Sequence, residues 1–167
     1  MIRPKRKSIP KKVREQVYQL CNGHCAYCGC EITMKEMQVD HFLAIENGVA
    51  IANGRGEVDS QDNYLPACRS CNYYKSSMFL DQFRAMVFRW PDILLRDSVT
   101  FRNAVRFGQV TITQHDPKFY YEEIGVKIPA MDWYEEFIEP LRKAREKINQ
   151  EGKQNEQDTD REGESER

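Results

Sequence analysis

Two Cys-x-x-Cys pairs, Cys25/Cys28 and Cys68/Cys71, constrain this chain more than any other feature. A two-residue gap lets a tight turn aim both sulfurs at one ion, and four thiolates complete a tetrahedral zinc shell. Gly29, directly after the first pair, suits a knuckle in which backbone amides approach the sulfur. Residues 29–67 lie between the pairs, a longer stretch than many compact zinc fingers enclose, so a functional segment is expected inside the clasp. A closed four-sulfur site stabilises a fold and performs no chemistry of its own. Cys21 and Cys30 are surplus to it and read as packed thiols, and the spacing does not require His24 as a ligand.

Metal rather than disulfide is also what the compartment favours. The N-terminal stretch "MIRPKRKSIPKK" has no apolar middle of the kind a secretory signal carries. No apolar run approaches the roughly 20 residues needed to cross a bilayer. The expectation is a cytoplasmic protein without a membrane partner, whose cysteines stay reduced. With 40% hydrophobic and 31% charged residues, the 167-residue chain should fold as one domain around a modest core.

The net charge of −1 hides a segregation. Residues 149–167 hold seven acids against three bases, so the rest of the chain nets +3. Arg3, Lys5, Arg6, Lys7, Lys11, Lys12 and Arg14 precede any acid. Such an arm can lie along a phosphate backbone, or it can be a solvated leader; charge alone does not choose.

Hydrophobic periodicity organises the remainder. Ser8-Ile9-Pro10 reads as a helix start, with Val13, Val17 and Leu20 at helical spacing until Asn22-Gly23. The turn "HCAYCGC" follows, then a strand near Met37 to Phe42, "MQVDHF". Glu46 to Asp62 is rich in Gly, Asn and Asp and reads as hairpin turns or a mobile loop. A helix is expected at the second cysteine pair. Another carries Phe79, Phe83, Met86, Val87 and Trp90 and should stop at Pro91. Asp92 to Gly108 reads as helical, and "QVTITQ" (109–114) as a short strand. Trp133, Phe137, Leu141, Ala144 and Ile148 mark a last amphipathic helix whose stripe reads as core packing. The polar tail beyond Asn149 reads as disordered.

Between the cysteine pairs lies "VDHF", with Asp40 and His41 adjacent. Neighbours on a strand point to opposite faces, so the two share a task only if the strand end is distorted. Asn63 and Asn72 follow, the second directly after Cys71, where it can either cap the helix or face a second metal.

Taken together, "CAYCG", "VDH", "DNYLPACRSCN" and the trailing Lys75 resemble the HNH endonucleases, in a His-Asn-Asn form. Asparagine directly after the second zinc pair is similar to phage endonucleases of the endonuclease VII type. The resemblance implies an α+β fold with a zinc-stabilised, treble-clef-like ββα-metal core over residues 11–80. A basic arm over 1–10, a mostly helical C-terminal extension over 81–148 packed on the core, and a disordered tail over 149–167 complete the expected organisation. It further implies a bacterial or phage DNA endonuclease that leaves a 5′ phosphate and a 3′ hydroxyl. His41 would be the general base. Asp40 and Asn72 would hold Mg²⁺ or Mn²⁺, Asn63 would brace the strand carrying His41, and Lys75 would lie near the substrate phosphate. Cutting both strands at once would need a homodimer. Elementary chemistry fits these roles: Mg²⁺ prefers oxygen ligands and keeps several waters, and an imidazole accepts a proton near neutral pH. The rivals are a non-catalytic zinc module that binds nucleic acid and a zinc-stapled protein-interaction domain. Arg84, Arg89, Arg96, Arg102 and Arg106 either contact DNA or complete the core, and His115 reads as a surface or loop residue.

Overall fold

A computed structural model of the chain describes residues 8–45, 58–113, 115–144, 146 and 147. Most of the N-terminal basic arm, most of the Gly- and Asn-rich segment, Ile148 and the polar tail therefore lie outside the described residues. The chain divides into two compact units, Met1–Ile128 and Pro129–Arg167.

The first unit opens with α1, Lys11–Leu20, entered from Pro10 and closed by Asn22 and Gly23, both at positive φ. Its Arg14 guanidinium donates to the carbonyls of Met34 and Met37, tying the helix to the approach of the first strand. That strand, β1, runs Gln38–His41 and pairs antiparallel with β2, Tyr64–Ala67; Asp40 stands opposite Leu65 and His41 opposite Tyr64. Every residue of β2 is buried. Helices and this two-stranded sheet make an α+β fold.

Helix α2, Arg69–Lys75, starts inside the second cysteine pair: Cys68 is its N-cap, and its sulfur accepts the Cys71 N–H at 3.4 Å. The capping role open to Asn72 therefore belongs to Cys68. Then come α3 (Leu80–Phe88), α4 (Trp90–Asp97), α5 (Val99–Arg106) and the single turn α6 (Tyr120–Glu123).

Two expectations are corrected here. Pro91 does not end the Phe79–Trp90 helix; α3 ends at Phe88, and Pro91 sits in the first turn of α4, where its missing N–H costs no hydrogen bond. Nor does the 109–113 stretch form a strand. The sheet has no third strand among the described residues for it to pair with. Val110 and Ile112 instead line an apolar groove with Trp90, Leu94 and Phe101.

The first knuckle is held on both sides. Ala26 N–H reaches the Pro66 carbonyl of β2 at 2.8 Å, while Tyr120 and Tyr121 N–H reach the carbonyls of Tyr27 and Ala26 at 3.1 and 2.8 Å. Gly29 is required at its corner: its φ is +70°, and a Cβ there would sit 3.0 Å from the Tyr120 ring. Tyr27, Phe83 and Phe119 pack ring against ring around this contact, an arrangement worth about 0.5–1.5 kcal/mol per pair beyond area burial. Arg84 closes the layer, donating to Glu122 and to the Pro117 carbonyl with its guanidinium over the Phe119 ring. Arg84 is thus committed to the core. Arg96 pairs with Asp97, and Arg102 donates to the Leu95 and Arg96 carbonyls.

In the second unit, residues 129–144 are helical. The buried positions are Ala130, Tyr134 and Ile138, offset by one residue from the stripe the sequence marks, and Leu141 is exposed. Trp133 and Phe137 stack on one another at 5.1 Å.

Candidate active site beside a four-sulfur centre

The structure brings the two cysteine pairs together. The sulfurs of Cys25, Cys28, Cys68 and Cys71 all lie within 4.8 Å of one another, and those of Cys28 and Cys68 are 3.9 Å apart. A tetrahedron with metal–sulfur bonds of ~2.3 Å has edges of about 3.8 Å, so the donor set fits zinc. A hydrogen bond from Cys71 lowers the Cys25 thiol to about 5 despite burial, while Cys71 itself is pushed up. Cys21, buried, and Cys30, exposed, are not among the four clustered sulfurs, and burial pushes the Cys21 thiol up to about 11. His24 is also outside the cluster, bonded to the Asn22 carbonyl and packed on Tyr120.

Asp40 and His41 leave β1 on opposite sides, as strand geometry requires. Asp40 is 6% exposed and points inward. Its Oδ2 receives both the Tyr27 hydroxyl at 2.5 Å and the Lys75 ammonium at 3.0 Å. Burial, and then the neighbouring Asp40 charge, push the Tyr27 hydroxyl pKa well up, so Tyr27 remains a donor. Both donors use the same oxygen. Oδ1 accepts no hydrogen bond among the described residues.

Lys75 departs from the place the sequence reading gave it. Its side chain is 0% exposed, and besides Asp40 its ammonium donates to the His41 carbonyl at 2.8 Å. It is an internal cation that ties α2 to β1, and in this arrangement it has no surface to offer a phosphate. Asn72 lies one turn earlier on α2, on the side of the helix adjoining Lys75. Its carboxamide makes no hydrogen bond among the described residues.

His41 turns the other way. Its Nε2 lies 2.9 Å from Asp59 Oδ1, and its ring meets Tyr64 edge-on at 4.9 Å. The chain after it is held by Asn63, which is fully buried. The Asn63 carboxamide oxygen accepts the Leu43 N–H at 2.9 Å, and its NH₂ donates to the Leu43 and Val58 carbonyls at 2.8 and 2.7 Å. The Asn63 backbone carbonyl accepts the Phe42 N–H at 2.8 Å. His115 is exposed and bonded to the Thr113 carbonyl.

Sequence reasoning missed Asp59 and Tyr27 as neighbours of this site. Tyr27 sits inside the first knuckle and Asp59 precedes Asn63 by four residues, but no spacing rule connects either to Asp40 or His41.

Among known proteins, no family model matches the chain. Sixty-four residues, 38% of the chain, are 31% identical to the CRISPR-associated endonuclease Cas9 of Corynebacterium diphtheriae. A solved structure, the Type II-C Cas9 enzyme from Actinomyces naeslundii, aligns over 50% of the chain at 25% identity with a TM-score of 0.38. The chain spans 5% of the first protein's length and 9% of the second's. The similarity is thus to a small part of each of these proteins. No helix of the described residues is long and apolar enough to cross a membrane.

Proposed function

We propose that this chain is a metal-dependent DNA endonuclease built on a zinc-clasped ββα-metal core of the HNH type. The observation that carries the reading is the carboxylate of Asp40: buried, fixed by two donors on Oδ2, and open at Oδ1. A carboxylate held in this way offers one oxygen to a small hard cation, and the unengaged amide of Asn72, one turn before Lys75 on α2, would offer a second. Asp40 and Asn72 would hold Mg²⁺ or Mn²⁺, which stabilises negative charge on the leaving oxygen. Similarity to part of an endonuclease supports the same class. The endonuclease VII likeness rests on one feature, the position of Asn72 after Cys71.

The protein's own groups divide the remaining work. The scissile phosphate lies over the end of β1. His41 accepts a proton from the attacking water at Nδ1, the water oxygen bonds to phosphorus, and the P–O3′ bond breaks. The 3′ oxygen then takes a proton from solvent, leaving a 5′ phosphate. Asn63 acts at a distance, fixing the backbone that follows His41. Lys75 acts as the counter-charge that holds the Asp40 carboxylate in place, instead of contacting DNA.

Zinc-loaded protein incubated with supercoiled plasmid should give nicked circles with Mg²⁺ or Mn²⁺ and none with EDTA. DNA ligase should reseal those nicks without a kinase, because the ends are 5′ phosphate and 3′ hydroxyl. Ends that ligase cannot join would contradict the chemistry. Binding without nicking under every divalent cation would favour the non-catalytic zinc module.

A further inference from the structure

We infer that Asp59 is a positioning residue for His41, fixing the imidazole as the Nε2–H tautomer so that Nδ1 is the basic atom. The inference rests on the nuclease reading for its purpose but on separate geometry for its content. Asp59 Oδ1 lies 2.9 Å from His41 Nε2 and accepts the Tyr64 hydroxyl at 2.7 Å. An ionised carboxylate can only accept, so the nitrogen facing it carries the proton. Nδ1 makes no hydrogen bond among the described residues and holds the free lone pair.

The surroundings make the pair a built one. Tyr64 stands opposite His41 in the β1–β2 register, so its ring packs against the imidazole while its hydroxyl orients the carboxylate. The His41 and Asp59 side chains are 12% and 20% exposed, sheltered enough for the contact to persist and open enough for substrate to reach the ring. Finally, the Val58 carbonyl, adjacent to Asp59, is bonded to Asn63. The residue that fixes the backbone after His41 therefore also fixes the backbone before Asp59. A carboxylate that orients an imidazole in this way stabilises the imidazolium formed when the ring takes a proton, without itself accepting that proton.

The test reads the ring directly. Two-bond ¹⁵N–¹H correlation spectra of the full zinc-loaded chain, with His41 assigned by loss of its signals in His41→Ala, report which nitrogen is protonated. The parent should show a protonated Nε2 with a slowly exchanging N–H, and an unprotonated Nδ1. Asp59→Asn should keep that pattern, since one amide oxygen can accept both from His41 and from Tyr64. Asp59→Ala should lose the slow N–H and mix the tautomers. Nicking by Asp59→Ala should fall about 10-fold or more in kcat with KM unchanged, part of the ~10²–10⁴ that general-base help supplies. A parent ring protonated at Nδ1, or an Asp59→Ala ring unchanged from the parent, would overturn the inference while leaving the nuclease reading intact. A parent with the expected ring state that never nicks DNA would overturn the nuclease reading, and with it the purpose given to Asp59.

Discussion

A chelator strong enough to strip zinc is expected to unfold the unit that ends at Ile128, and Cys71→Ala should do the same. Among the described residues the sheet has two strands of four residues each, and α2 has seven residues. Such short elements are marginal alone. What holds them in register is the sulfur cluster, which joins the knuckle at Cys25–Cys28 to the start of α2. Structural zinc contributes an apparent ~10–16 kcal/mol in small zinc domains, against a net stability of about 5–15 kcal/mol for a whole domain. Its loss therefore exceeds what the aromatic layer and the hydrogen bonds can offset. Metal analysis should find one zinc per chain. Circular dichroism and thermal melting should show the folded signal disappear with the metal and return when zinc is restored. A chain that stays folded without metal would refute the clasp.

Asp40→Ala should cost about 3–5 kcal/mol of folding stability, the usual penalty for leaving a buried charge without its partner. The stranded group is the Lys75 ammonium, 0% exposed and left with the His41 carbonyl alone. Tyr27 loses its acceptor at the same time. Adding Lys75→Met removes the orphaned charge, so the double variant should recover most of the loss in urea unfolding. If the two changes simply add, the ion pair contributes no coupling and Lys75 is not the counter-charge of Asp40. The double variant also serves function: it should be folded, zinc-loaded and without the carboxylate, so its failure to nick DNA would not be a folding effect.

How much of this was legible in the sequence depended on range. The Cys-x-x-Cys pairs announce their chemistry locally, and the four sulfurs do converge. Helix α1 and strand β1 follow from short-range periodicity and stop signals, and both lie where the pattern sets them. Pro91 was ambiguous because proline is disfavoured inside a helix yet welcome in its first turn. The 109–113 stretch has strand-like alternation, but a strand needs a partner, and partners are not encoded locally. Lys75 illustrates the hardest case. The resemblance puts this lysine near the substrate phosphate, and only the packing of α2 against β1 shows that its ammonium is enclosed by Asp40 and the His41 carbonyl. Asp59 was invisible for the same reason, since its contact with His41 spans eighteen residues through a segment of no regular pattern.

Plasmid nicking by the parent and by His41→Ala tests whether the His41 imidazole drives the hydrolysis of DNA. The two proteins should be matched for zinc content and melting temperature and assayed with Mg²⁺ and with Mn²⁺. Removing a general base typically costs about 10²–10⁴ in rate, so His41→Ala should leave the plasmid supercoiled under conditions in which the parent nicks it to completion. Equal nicking by both proteins would mean that His41 is not the general base.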